Sequence, residues 1–459
     1  MTVGNQLRIQ EPTADLLDWC KKNMVLANPD YAKKVRMHLW LGNTPQKLYL
    51  MQWDGDTLVL PYGCLNTVLR LGECEVINDL PTPKEVDFGC SVPLYDYQEA
   101  AKEAMLKAYY GILQSPAGSG KTQVGIALAA ALGRKTLWLT HTRDLLSQSK
   151  NRAEQYMSPS LTGTITEGRV QIGKAITFAT VQTMCNLDLG RYRDVWDCII
   201  VDECHRVAGT PTSVTQFSRV LNSLAARHKY GLSATVHRAD GMIAATYALL
   251  GKIAYQVPEE AVADKIMTVS VLPRPTRVGL SKDFLDTDGT IIYAKLGNYL
   301  AEDFCRNGQI VGDLMLNSGH YNLILSDRLA HLEYLMAHLP KHLRDQAVMV
   351  DGKMTSKKGK AKREQAIEDM RAGKKHYLFA TYALAKEGLD IPRLDRLYLT
   401  TPQKDYAIVT QSVGRIARTF EGKGEPIVYD YVDDGIQYLV RSYKKRCTSY
   451  RKCGCKIME

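Results

Sequence analysis

The chain has no apolar run long enough to cross a membrane. Its longest, such as Ile243 to Leu250, fall far short of the ~18 residues that a span needs. The first residues, M-T-V-G-N-Q-L-R-I-Q-E-P, lack the apolar centre of a secretory signal. Both absences point to a cytoplasmic protein (host cytoplasm for a viral source, nucleus for a eukaryotic one) with no membrane partner. Low-complexity tracts and short-period repeats are missing too. So is a regular cysteine framework: the eleven cysteines are odd in number and scattered, as reduced thiols are. Only Cys447, Cys453 and Cys455 cluster, and no second pair lies nearby to complete a tetrahedral zinc site.

What is present fits a large folded protein. The length of 459 residues suggests about three domains, and 45% hydrophobic with 24% charged residues suits sizeable cores. The formal net charge of +10 is compatible with a polyanionic partner. Residues 1–90 read as a small α+β accessory module. Within it Leu48 to Met51 and Thr57 to Leu60 flank Asp54-Gly55, a hairpin signal. Tyr31, Lys33, Lys34, Arg36, His38 and Trp40 interleave basic and aromatic side chains, as a nucleic-acid contact or a solvated amphipathic face would. Pro81 and Pro83 mark a linker. Beyond Tyr95, apolar runs at 110–114, 135–139, 175–180, 197–201 and 229–233 alternate with helical patterns. A second series follows at 322–326, 346–350, 376–380, 395–399 and 426–431. That alternation predicts two parallel sheets covered by helices, over 91–265 and 266–459.

The eight residues S-P-A-G-S-G-K-T follow the apolar run Tyr110 to Leu113 and precede the helical run Val124 to Leu132. Strand, loop and helix in that order form a phosphate-binding loop. Ser115, Pro116, Ala117, Gly118, Ser119 and Gly120 would form the loop, in which Gly118 and Gly120 let successive backbone N–H groups point at one anion. Lys121 would reach the β and γ phosphates, and the Thr122 hydroxyl would ligate Mg²⁺. Ser115 stands where the usual pattern has its first glycine. Farther on, Asp202-Glu203-Cys204-His205 ends a strand containing Ile199, Ile200 and Val201. Carboxylates there emerge at the C-terminal edge of the sheet, where ligands of open α/β sheets bind. Asp202 would hold Mg²⁺ and Glu203 would orient and deprotonate the attacking water.

D-E-C-H after a phosphate loop resembles the superfamily 2 helicases, in which two tandem RecA-like domains sandwich ATP. The resemblance implies that Gln98, in Y-D-Y-Q, reads adenine. Ser233 and Thr235, in S-A-T, would couple hydrolysis to strand movement, together with His205 and Gln411. Thr381, Gly388 and Asp390 match the next nucleotide- and strand-contacting motif. Gln411, Arg415 and Arg418 match Q-x-x-G-R-x-x-R, whose two arginines lie three apart on one helix face. They would stabilise charge on the γ phosphate once the two domains close. Strand contacts implied by the match are Thr142, Arg143, Thr180 and Thr381, gripping phosphates without reading sequence.

Two basic clusters lie apart from these motifs. One holds Lys353, Lys357, Lys358, Lys360, Lys362 and Arg363, and is a nucleic-acid contact or a solvated face. The other holds Arg441, Lys444, Lys445, Arg446, Arg451, Lys452 and Lys456, a DNA contact in which Tyr443 and Tyr450 would stack on a base or cover a helix end. The stretch G-L-S-A-T-V-H-R-A-D-G resembles the XPB-like and UvsW-like branch, with Arg238 and Asp240 as the Arg-x-Asp element associated with duplex opening. The resemblance implies a monomeric ATP- and Mg²⁺-dependent DNA motor, 3′ to 5′ in direction, that remodels forks, displaced loops and Holliday junctions. It would act on branched or partly single-stranded DNA in recombination, repair or replication-fork rescue, with residues 1–90 as a DNA-binding module. A double-strand translocase or RNA-directed helicase is the alternative, and an ATP-gated DNA-binding scaffold a third reading from another class.

Overall fold

The computed structural model describes residues 1–72, 75–82, 85–116, 118–236, 241–262, 266–351, 357–386, 389 and 391–458. They form two compact units, one of Met1–Pro116 with Gly120–Ala261 and one of Ala117–Ser119 with Val262–Glu459.

In the first unit an eight-stranded sheet runs Arg169–Gln171, Thr162–Thr166, Ile176–Thr180, Thr136–Thr140, Cys198–Asp202, His228–Ser233, Tyr110–Gln114, Ile253–Gln256. All neighbours are parallel except the first pair, a hairpin. Central strands are apolar on both faces because helices cover both: Ile199, Ile200 and Val201 are each 0% exposed. Each expected run in the first series is a strand, displaced by a residue or two at most. Thr162–Thr166 and Ile253–Gln256 were not foreseen; the first is threonine-rich and the second exposed, so neither carries an apolar run.

Residues 1–80 add a five-stranded sheet, ordered Gln52–Asp54, Thr57–Pro61, Gln6–Ile9, Thr2–Val3, Ile77–Asn78. The Asp54-Gly55 hairpin is present, but its first arm is Gln52–Asp54 rather than Leu48 to Met51. Lys47–Tyr49 pairs instead with Val25–Ala27, a partner with no local signal. This sheet does not keep a core of its own. Leu7, Leu58, Leu60, Tyr62 and Val68 pack with Tyr110, Val214, Met242, Ala245 and Ala248 in one cluster. Lys229, 1% exposed, donates to Leu221 O (2.7 Å) and Asn5 O (3.2 Å), tying the N-terminal sheet to the parallel one.

The second unit is a seven-stranded, wholly parallel sheet, ordered Ala347–Val350, Tyr377–Thr381, Asn322–Ser326, Arg396–Leu399, Ile427–Val432, Ser270–Pro275, Lys456–Ile457. The second series of expected runs all appear in it. The helix Gln437–Lys452 ends in the basic cluster, which divides by face. Arg441, Lys444 and Lys445 are exposed. Arg446, expected on the DNA-facing surface, is 2% exposed and belongs to the core. Its guanidinium meets both carboxylate oxygens of Asp430 (2.8–3.1 Å) and donates to Gln403 O (2.9 Å). Tyr450, expected to stack on a base, is 0% exposed and donates to the same Asp430 at 2.8 Å.

Candidate nucleotide-hydrolysis site

The phosphate loop leaves the sheet at Gln114, and the next N–H, that of Ser115, donates to Ser233 O at 3.0 Å. Loop and S-A-T segment therefore depart side by side from adjacent strands. Gly118 and Gly120 have φ of 85° and 78°, which only glycine adopts without strain. Gln98 packs close over Gly120: a Cβ there would fall 2.5 Å from Gln98 Nε2 and push that side chain aside. Gln98 is 2% exposed and its Oε1 accepts from Tyr95 N at 3.0 Å, so the residue expected to read adenine braces the loop. Lys121 opens the helix Lys121–Leu132, where N–H groups and dipole favour an anion, and its Nζ lies 3.4 Å from Pro116 O.

Asp202 ends its strand 4% exposed. Its Oδ1 accepts from Glu203 N (2.9 Å) and its Oδ2 from Ser149 Oγ (3.1 Å). Burial and the neighbouring Glu203 push its carboxyl up to about 6, while Lys121 and the Ser149 bond oppose the rise. Two acids and one ammonium thus meet in a desolvated corner. An oxygen-only donor set, the Asp202 carboxylate and the Thr122 hydroxyl, is what Mg²⁺ prefers. Ser149 was not singled out from sequence; its partner lies 53 positions away, and no motif marks it.

Glu203 sits at φ 49°, a left-handed conformation that costs a non-glycine residue energy. Its Oε2 lies 3.2 Å from His205 Nδ1, which is 3.0 Å from Ser233 Oγ. The Ser233 hydroxyl donates to Thr235 O (2.7 Å) and accepts from Thr235 N (3.1 Å). With its proton committed to Thr235, Ser233 must accept from His205, so the imidazole carries its proton on Nδ1. His205 thus stands beside the Glu203 carboxylate and is hydrogen-bonded to the S-A-T segment. Cys204, beside it, is 0% exposed and its thiol is raised well above its usual value by burial first and the adjacent acids second; it is packing.

In the second unit, Gln411 and Arg415 lie on the helix Tyr406–Ile416, with Arg418 just after it. Arg415 Nη1 donates to Leu389 O at 3.1 Å. Lys423 closes the end of that helix, donating to Ile416 O (2.7 Å), Arg418 O (2.7 Å) and Pro392 O (3.0 Å). Burial pulls its amine down to about 8. Like Ser149, it belongs to no motif.

The expected strand contacts fall at strand ends and caps. Thr142 caps the helix Arg143–Ala153 by accepting from Leu145 N. Arg143 is exposed and paired with Glu167. Thr180 is buried and donates to Thr183 Oγ1 at 2.9 Å, and Thr381 ends Tyr377–Thr381 half-buried. Ala117, Arg238, Asp240, Lys353, Gly388 and Asp390 lie outside the described residues, as do the side chains of Lys357, Lys358 and Lys360. Among the described residues no three His, Cys, Asp or Glu side chains converge as a metal cluster, and no helix is long and apolar enough to cross a membrane.

Known proteins agree with this geometry. Residues 91–238 match the family described as type III restriction enzyme, res subunit, and residues 307–420 match the helicase conserved C-terminal domain. "Probable helicase D10" of Escherichia phage T5 is 26% identical over 349 residues, covering 76% of this chain and 73% of that protein. "DNA 3'-5' translocase XPB2" of Sulfurisphaera tokodaii is 31% identical over 195 residues, 42% of each chain. The structure of S. cerevisiae Dbp5 bound to RNA and ADP BeF3 covers 80% of this chain and 90% of its own, with a TM-score of 0.55 at 17% identity, a likeness of fold. The phosphate loop and acid pair fall within the first matched region and the glutamine–arginine helix within the second, and the chain belongs to the superfamily 2 helicases of XPB-like type, two RecA-like domains that hydrolyse ATP.

Proposed function

We propose that this helicase is a Mg²⁺-dependent DNA motor, moving 3′ to 5′, that remodels branched DNA. The observation that carries the motor reading is the hydrogen-bonded chain His205–Ser233–Thr235, whose imidazole lies 3.2 Å from the Glu203 carboxylate and so sets that carboxylate beside the S-A-T segment. Asp202 and Thr122 would hold Mg²⁺, whose charge would offset the β and γ phosphates. Lys121 and the N–H groups of Gly118, Ser119 and Gly120 would bind and orient the phosphates. Glu203, held near His205, takes a proton from the attacking water. Arg415 and Arg418 supply positive charge to the γ phosphate from the second unit, so hydrolysis would depend on closure. The DNA substrate and 3′-to-5′ direction are supported by the XPB-type relative, whose name carries both. Thr142, Arg143, Thr180, Thr381, Lys444 and Lys445 are the proposed DNA contacts; Arg446 is not among them. The branched-DNA part rests on the sequence resemblance around Arg238 and Asp240, and implies service in recombination, repair or stalled-fork rescue.

The test compares ATP hydrolysis stimulated by single-stranded, duplex, forked and four-way DNA and by RNA, for wild type and Glu203→Gln. Strongest stimulation by forks or junctions, with junction movement that Glu203→Gln loses, is expected. Equal stimulation by blunt duplex would leave a double-strand translocase, and preference for RNA would overturn the DNA assignment.

A further inference from the structure

Six of the large apolar side chains most open to solvent fall in one short stretch: Val35, Met37, Leu39, Trp40, Tyr49 and Trp53. Trp40 is the extreme at 88% exposed, whereas Trp138 and Trp196 are buried. Single exposed apolar residues are ordinary, but a run of them on a basic segment is not.

The loop that carries Trp40 is tightly built. It leaves the helix Pro29–Arg36 through N–H bonds from Met37 to Lys33 O (3.0 Å), His38 to Val35 O (3.1 Å) and Leu39 to Lys34 O (2.9 Å). Lys34 Nζ reaches across it to Thr44 Oγ1 (2.7 Å) and Leu41 O (3.4 Å). At its base Asn28 donates to Pro45 O through Nδ2 (2.7 Å) and to Gln46 O through its backbone (3.0 Å). Under the indole lies Gly42, at φ 51°, where a Cβ would fall 2.9 Å from Trp40 Cζ3. The ring therefore rests on the glycine backbone and turns its remaining surface to water. Positive charge surrounds it: the last helical turn holds Lys33, Lys34 and Arg36, with Lys34 occupied in the loop, and exposed Lys47 follows. The helix carries one acid, Asp30, in its opposite, first turn.

We propose that loop 37–44 is a stacking site for an unpaired base of a single-stranded nucleic acid, with Trp40 as the platform and Lys33, Arg36 and Lys47 as phosphate contacts. A base offers the flat apolar face that the seated indole lacks, and the cations match the backbone on either side of it. An acidic protein segment would also meet the cations, but it would not require the aromatic plane. The site lies outside the ATP-binding motifs and goes beyond the motor reading, to a second grip on the strand.

The test is binding of the full chain, without nucleotide, to oligo-dT, oligo-U and blunt duplex DNA, for wild type, Trp40→Ala and Trp40→Phe. Loss of one base–aromatic stack should weaken oligo-dT binding about 5- to 100-fold in Trp40→Ala. Trp40→Phe should keep most of the affinity, and blunt duplex binding should change less than about two-fold, since its bases are already stacked. Oligo-dT should quench the tryptophan emission of wild type, and Trp40→Ala should lose most of that quench. The oligo-U arm identifies the sugar accepted, because a stack alone is blind to the 2′-hydroxyl. Unchanged oligo-dT affinity in Trp40→Ala would overturn the proposal, as would an equal loss on blunt duplex. Since no nucleotide is present, failure here is separate from failure of the motor.

Discussion

The two α/β units share a sheet design and treat buried charge in opposite ways. In the second unit the core arginines are paired with aspartates. Arg306 meets Asp433 at 2.8 Å and Thr400 O at 2.6 Å, while Thr276 donates to the same carboxylate. Arg274 forks onto Asp313, which also accepts from Tyr431. Arg446 and Tyr450 share Asp430. The first unit leaves its buried groups under tension: Asp202 beside Glu203, and Lys229 with carbonyl oxygens but no carboxylate. Paired charges make a stiff body; poorly compensated ones make a site that gains by taking a cation or an anion. The acid pair of the first unit is of the poorly compensated kind, and the core arginines of the second are of the paired kind.

Contrasting two arginines of the second unit would break that division most sharply. Arg418→Ala is expected to lower turnover by about 10³–10⁵ while ATP still binds and stability barely moves. Unchanged turnover would remove it from the site. Arg446→Ala should instead strand Asp430 in the core and cost about 3–5 kcal/mol in denaturant unfolding, and replacing both partners by apolar residues should recover most of that. A cost near zero would mean that the cluster is solvated after all.

In the first unit, Lys229 sharpens the comparison through pH. Burial pulls its amine down to about 7. Between pH 7 and about 10.4 the unfolded chain binds the proton and the folded chain does not, so stability rises with pH across that window. Relative to Lys229→Met, the wild type should gain up to about 1.4 kcal/mol per pH unit there. A flat difference would place the amine in contact with solvent. Smallest of all, Ser149→Ala should slow hydrolysis by about ten-fold, as loss of a bond to Asp202 at the low end of about 1.5–3 kcal/mol would. An unchanged dependence on Mg²⁺ concentration would show that Ser149 does not position that carboxylate.

The chemistry was legible in sequence because phosphate loops, acid pairs and arginine helices are local: neighbours in the chain are neighbours at the site. The parallel strands were legible because burial on both faces writes an apolar run. Arg446 was misread since its charge looks identical to that of Lys445 one residue earlier, and only Asp430 on a distant strand distinguishes them. Ser149 and Lys423 were invisible for the same reason. The N-terminal sheet was foreseen as a module, but its shared core with Tyr110 and Ala245 is a tertiary fact with no local trace.

The single rung from Ser115 N–H to Ser233 O has a consequence for timing. Phosphate loop and S-A-T segment are adjacent teeth of one comb, so a shift of either by more than a few tenths of an ångström tugs the other. News of phosphate release then need not cross the protein; it has only to cross one hydrogen bond.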